Sequence, residues 1–256
     1  MQVKELYRYG LNAATAGTYL YLYAPILVVV ALSFKKGGEG FGFTLEYYKA
    51  LLSAQALTSA LLLSVKIALV VMVITTILSI MASFGIVRYT WPKRKSFAMA
   101  YLSLPLMLPV IVYAIGLFAV LSNLGLQRGE GAIIIGHIVY ALPFATLVMV
   151  SGLQDFDTSL EEAAMDLGGD ELTIMREVTL PLLAPSIIAA ALFSFTLSFD
   201  EFLIAFFVGG LGDTTLPMEI WSRVRRGITP EIYSISVVVL VISISIAALA
   251  TRLERS

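Results

Sequence analysis

Six long apolar runs, at about 17–34, 57–84, 97–122, 132–152, 182–208 and 232–250, dominate this chain. A helix needs about 20 apolar residues to cross roughly 30 Å of hydrocarbon. No water satisfies the backbone there, so lone strands are excluded. The runs also lack the alternation that a barrel strand requires. Of the 256 residues, 59% are hydrophobic and 14% charged, against about 25% charged in soluble domains. A soluble domain of this length has too little interior to hide so much apolar surface. The expectation is an all-α integral membrane protein, with six transmembrane helices in one domain over 1–256. The first run is long and has no small-residue cleavage pattern, so it is expected to stay as a span.

Composition removes several function classes. The net charge of -1 gives no field that would attract nucleic acid. Cysteine is absent and His137 is the single histidine. Disulfides and thiolate metal sites are therefore excluded, the single histidine argues against a histidine-based metal cluster or a serine–histidine relay, and an intramembrane enzyme has almost nothing to build with. No G-x-x-x-x-G-K-[ST] phosphate loop occurs, so any ATP chemistry must be supplied by another chain. An ion-coupled secondary transporter is expected to show internal repeats, and none is visible here. Basic residues orient the chain weakly. The cluster Lys93-Arg94-Lys95 between the second and third runs puts that side, both termini and the fourth–fifth connection in the cytoplasm. Prolines 105 and 109 are expected to break the third run and Pro143 the fourth, while Pro181 and Pro185 suit the start of the fifth.

The connection at about 155–181 is rich in carboxylates. It reads as two short helices joined by a glycine turn. Thr158 and Ser159 are expected N-caps, with Glu161 and Glu162 at capping-box spacing. Ala163 and Ala164 leave one face thin. Gly168-Gly169 can end the helix with a left-handed residue, and Asp170 can cap the next one. On this reading alone, a docking element for another protein and a solvated helical hairpin are both open.

The spacing then becomes specific. Glu162-Ala163-Ala164, three residues, Gly168, nine residues and Val178-x-Leu180-Pro181 resembles the EAA loop of permease subunits of bacterial ABC importers. Val178 stands where that pattern usually has isoleucine. The segments from Ser194 to Glu201, Thr215 to Ser222, Arg226 to Glu231 and His137 to Phe144 are similar to the spermidine/putrescine permease family, so the likeness covers most of the chain. The resemblance implies the type I ABC importer permease fold in a bacterial inner membrane. It implies a second, homologous permease chain, two ATPase subunits inside and a periplasmic or lipid-anchored solute-binding protein outside. ATP and Mg would sit on the ATPase, with no cofactor on this chain. It further implies that Glu162, Ala163, Ala164, Gly168, Leu180 and Pro181 belong to the ATPase-coupling element, with Glu162 making a polar contact and Gly168 the bend.

Asp200 and Glu201 are the sharpest intramembrane residues. A carboxylate at mid-helix costs about 2.5–3.5 kcal/mol on insertion scales, so it usually faces a cavity or a partner. Neighbours on a helix point about 100° apart. Asp200 is expected to face a solute path and Glu201 a neighbouring helix or subunit; the alternative is that both hydrogen-bond between helices. Ser198 and Tyr113 are weaker path candidates, for which packing is the better expectation. Lys66 is expected to reach outward to the membrane surface, His137 to be a packing histidine, and Tyr47 and Tyr48 to sit at the interface. Arg223, Arg225 and Arg226 form either a solvated basic face or a contact for a delivery protein. The resemblance points to a polyamine as solute, and cations suit the two acids. Val110, after Pro109, stands where the polyamine permease has an acid, so one negative charge is missing. Opines, phosphonates and ferric iron remain as alternative cargo.

Overall fold

The computed structural model describes residues 2–36, 42–89, 92–227 and 230–253. Helices come in the order α1 (Gln2–Ser33), α2 (Glu46–Ser53), α3 (Gln55–Arg88), α4 (Pro92–Met107), α5 (Val110–Asn123), α6 (Glu130–Gln154), α7 (Ser159–Asp166) and α8 (Glu171–Ile174). A π-helix, Met175–Thr179, leads into α9 (Leu180–Leu182). Then follow α10 (Ala184–Asp200), α11 (Leu203–Val208), α12 (Leu216–Arg226) and α13 (Pro230–Leu253). Among the described residues the strand-type pairing is an isolated bridge between Lys35 and Phe43.

Gly10–Ser33, Gln55–Arg88 and Glu130–Gln154 are each long and apolar enough to cross a membrane. The first, second and fourth predicted windows fall on them. The third window is not one kinked helix. It divides into Arg94–Met107 and Val110–Asn123, bent by 98° at Leu108-Pro109. Pro105 lies inside α4 without a break. Pro143 likewise lies inside an unbroken α6, where the Thr146 hydroxyl donates to the Leu142 carbonyl at 2.7 Å. The fifth window is also redistributed. Glu171–Leu182 and Ala184–Asp200 form a pair bent by 66°, and the helix stops at Asp200 instead of running on to 208. Pro185, not Pro181, stands at the start of the long helix. The sixth window, 232–250, falls on α13 (Pro230–Leu253).

Contacts group the chain into two units, Met1–Thr58 with Ile220–Ile242, and Ser59–Glu219 with Ser243–Ser256. In the first, Ser33 shares a hydrogen bond with the Tyr48 hydroxyl at 2.7 Å, and its carbonyl accepts from Ser234 at 3.4 Å. Phe34 stacks on Phe43 and Tyr48, with centroids 5.2 and 5.1 Å away. Tyr48 is thus tied into packing.

The second unit is built around α6. Its core joins Ile67 and Val71 of α3, Ala114 and Leu121 of α5, Ala132, Ile133 and Ala141 of α6, and Ile204, Ala205 and Val208 of α11. Ala145 and Met149 pack on Ala190 of α10, and Phe84 on Leu153 and Leu183. Many large apolar side chains point outward instead, including Leu62, Met81 and Met107. Lipid tails are as apolar as leucine, so burial from water does not drive these helices together; close contact does. Gly152 supplies one such approach, because a Cβ there would collide with the Ser186 side chain of α10. Gly152→Leu is expected to cost about 3 kcal/mol by overpacking. It should appear as a clear fall in Tm in detergent; an unchanged Tm would refute this close crossing.

Candidate functional site

The hairpin after α6 is assembled from local hydrogen bonds. Asp157 opens α7: its Oδ1 accepts from the Ser159 N–H at 3.0 Å, and its bonds to Ser159 hold its carboxyl below the usual aspartate range. The expected capping box is absent, since neither the Thr158 side chain nor a reciprocal glutamate bond caps the helix. Asp157 wins because it accepts two residues on in an Asx turn. The far end is as expected. Gly168 has φ +86, its N–H bonds to the Met165 carbonyl (2.9 Å), and Gly169 N–H bonds to the Ala164 carbonyl (3.0 Å). This is a Schellman ending, and a side chain at Gly168 would be strained. Asp170 caps α8 by accepting from Thr173 N–H at 2.9 Å, which lowers its carboxyl in turn.

Beyond α8 the helix widens into a π-turn, where Leu180 N–H reaches back to the Met175 carbonyl. Pro181 follows and has no N–H to offer, so the turn in front of it loses an α-type bond. Leu180 and Pro181 of the spaced pattern therefore mark the end of the π-turn. Leu183, buried, lies at the bend into α10.

The two adjacent glutamates of α7 have different surroundings. Glu162 is exposed, as is Ala163, while Ala164 is half-buried. Around them Leu160, Met165, Leu167 and Leu172 are exposed, Leu167 to 90% and Leu172 to 76%. An apolar rim beside a carboxylate on a polar connection has the composition of a protein-binding surface. Glu161 is buried. Its two oxygens take a bidentate pair from Arg88 at 2.8 and 2.9 Å, and the Thr179 hydroxyl also donates to it. Arg88 in turn lies over Phe84 (4.9 Å) and Phe156 (5.7 Å). Burial pushes the Glu161 carboxyl up, but the Arg88 and Thr179 hydrogen bonds and the Arg88 charge outweigh it and hold it below the ordinary value. Sequence reasoning treated Glu161 only as a first-turn acid and missed Arg88 and Thr179. A lone arginine closing a long apolar run was the available signal.

Asp200 and Glu201 stand at a helix break, not in mid-helix. α10 ends at Asp200, which is exposed. Glu201 is extended (φ -73, ψ 113) and half-buried, and its Oε1 accepts from Ile204 N–H at 3.1 Å to start α11. Their relative direction is set by that break and not by helical spacing. Ser198 is buried and shares a 2.8 Å hydrogen bond with His137 Nδ1, which joins α10 to α6. His137 is buried in the packing, but its Nε2 has no hydrogen-bond partner among the described residues, so it is not the fully satisfied histidine expected. Lys66 pairs with Glu130, in the first turn of α6, at 2.8 Å.

Tyr113 donates its hydroxyl to the Gly136 carbonyl at 2.9 Å. Its ring begins an aromatic ladder that sequence reasoning did not register. Tyr113–Tyr140, Tyr140–Phe144 and Phe144–Phe193 centroids are 5.9, 5.7 and 5.7 Å apart. The four-residue spacing of Tyr140 and Phe144 on α6 was its only trace.

Residues 75–256 match the family described as binding-protein-dependent transport system inner membrane component. The chain is 33% identical over 247 residues to the spermidine/putrescine transport system permease protein PotC of Haemophilus influenzae, covering 95% of this chain and 96% of that protein. It is 34% identical over 231 residues to the putrescine transport system permease protein PotI of Escherichia coli K12, covering 87% and 82%. Among solved structures, a chain of a bacterial ABC transporter involved in import of the acidic polysaccharide alginate superimposes with TM-score 0.75 at 15% identity, covering 98% of this chain and 96% of that one. A chain of the inward-facing MetNI methionine ABC transporter gives 0.57 at 20% identity, covering 79% and 98%.

Proposed function

The chain belongs to the family of inner-membrane components of binding-protein-dependent transport systems, and from that premise we propose that it lines the solute path of a polyamine importer. It has the all-α fold of ABC transporter permeases and is a multi-pass membrane subunit, not an enzyme; ATP is used by a separate chain in such systems. The cargo reading is carried by two carboxylates, Asp200 and Glu201, at a helix break, in a chain that also holds the aromatic ladder from Tyr113 to Phe193. A linear polyamine presents ammonium groups separated by methylenes. Carboxylates suit the first and ring faces suit both, each cation–ring contact contributing about 0.5–2 kcal/mol. The names of the relatives it matches point the same way.

The whole chain, on this reading, is one permease domain of six spans with both termini in the cytoplasm. It pairs with a homologous permease, rests on two ATPase subunits holding ATP and Mg, and receives solute from a periplasmic or lipid-anchored binding protein. Glu162 and Ala163, with Ala164, Gly168, Leu180 and Pro181 shaping the hairpin, form the ATPase-docking element. Nucleotide-driven closure of the ATPases moves that hairpin and shifts the helices between inward- and outward-open packings. Asp200 faces the passage, Glu201 and the Tyr113 ring stand beside it, and Ser198 acts one layer back by fixing α10 to α6.

The test is uptake of radiolabelled spermidine into proteoliposomes holding the complete complex, delivered by its binding protein. ATP-dependent uptake that putrescine competes away is expected. ATP-dependent uptake of an anionic solute alone would overturn the cargo, and absence of any ATPase subunit from the purified complex would overturn the importer reading.

A further inference from the structure

Among the described residues, Glu161 is the one buried residue of α7. A helix that takes force from a partner on its outer face must pass that force inward through what holds it. Here that is a carboxylate and not an apolar plug. The distinction matters mechanically. Apolar contacts are non-directional and let a short helix slide, whereas a bidentate arginine–carboxylate pair fixes both distance and orientation.

The pair leads to two places. Arg88 closes α3, and Ile67 and Val71 of the same helix pack with Ile204, Ala205 and Val208 of α11. From Arg88 to Ile67 the helix runs about 32 Å at 1.5 Å per residue. Glu201 caps the helix reached there. Thr179, the second partner, lies in the π-turn that precedes α9 and α10, and α10 ends at Asp200. A π-turn is a helical segment with an alternative register close by, and such turns gather at functional sites. Both lines thus start at Glu161 and finish at the Asp200–Glu201 break.

We propose that Glu161, Arg88 and Thr179 form a transmission joint that converts movement of α7 into coordinated movement of α3 and α10. The three are positioning residues: they touch neither solute nor nucleotide. The proposal rests on the reading of α7 as the ATPase-docking element, and it assigns to Glu161 a task separate from that of Glu162.

The test compares variants in proteoliposomes of the complete complex, reading spermidine taken up per ATP hydrolysed. Glu161→Gln keeps the shape and removes the charge; the uptake-to-hydrolysis ratio is expected to fall about tenfold, within the range that coupling mutations reach. Thr179→Val keeps the ion pair and is expected to give a smaller loss of about threefold. The swap R88E/E161R is expected to exceed Arg88→Glu alone in that ratio, because it restores an opposite-charge pair. A merely structural role would lower uptake and hydrolysis together and leave their ratio at the parental value. A parental ratio in Glu161→Gln, or a swap no better than Arg88→Glu, overturns the joint. Where Glu161→Gln does not assemble, Thr179→Val decides, and a parental ratio there overturns it equally. If the parent complex itself shows no ATP-dependent uptake, the docking reading falls along with the joint. A coupled parent with a coupled Glu161→Gln removes the joint alone.

Discussion

Glu162→Lys is expected to leave the chain inserted and paired with its partner permease, while uptake by the reconstituted complex falls about a hundredfold. The reason is geometric. Glu162 is exposed on α7, with Leu160, Met165, Leu167 and Leu172 exposed around it. Nothing in the hairpin's own bonding uses its carboxylate: the helix is opened by Asp157, closed by Gly168 and Gly169, and anchored by Glu161. Reversing its charge therefore spares the fold and strikes only what docks there. A misplaced like charge or a broken charge pair in an interface costs about 3 kcal/mol, and each 1.4 kcal/mol is roughly a tenfold change. ATP hydrolysis by the partner should lose its stimulation by loaded binding protein at the same time. Normal uptake with normal stimulation in this variant would remove α7 from the docking surface.

Comparison with Glu161 sharpens that expectation. The spaced pattern singles out Glu162 and not Glu161, and the fold gives the physical difference: Glu161 is buried and paired, Glu162 exposed. Breaking a buried pair costs about 3–5 kcal/mol, so Glu161→Lys is expected to disrupt the hairpin itself, whereas Glu162→Lys is not. The two variants thus divide assembly from coupling on a single helical turn.

The all-α class and the hairpin were legible because hydrocarbon and turn chemistry leave few choices. An apolar run of span length must be helical in lipid, and α1, α3 and α6 follow. Gly168-Gly169 and Asp170 were readable because a left-handed residue and an acceptor at a helix start are local requirements. What was not legible depends on tertiary context. Pro105 and Pro143 looked like breaks but lie inside helices, since neighbouring groups can take up the freed carbonyls. Pro109 does break its run, because α5 starts immediately after it. The stop at Asp200 has no proline or glycine to announce it. It depends on Glu201 capping α11, a choice that a carboxylate can make in mid-span only where the helix is free to turn. Arg88, Glu161 and Thr179 are 73 and 18 residues apart in their two bonds, so no local pattern joins them.

The break at Asp200 leads to the second large effect. In the double variant D200N/E201Q, spermidine uptake should fall about thirtyfold to a hundredfold, while ATP hydrolysis stimulated by loaded binding protein falls far less. The replacing amides keep the size of the parent side chains. The glutamine amide retains an oxygen for the Ile204 N–H, so α11 still starts where it does now. Asp200 is exposed, so its replacement disturbs no packing. What disappears is charge. A hydrogen bond to a charged group contributes about 1.5–3 kcal/mol, which corresponds to roughly tenfold to a hundredfold for one such contact. The ladder from Tyr113 to Phe193 remains and should retain residual uptake, because ring faces still attract ammonium groups. Each single variant separates the two acids. If Asp200 faces the passage and Glu201 mainly holds the break, Asp200→Asn carries most of the loss and Glu201→Gln little. Equal loss from both would place both carboxylates in the passage, and parental uptake in the double variant would remove them from it altogether.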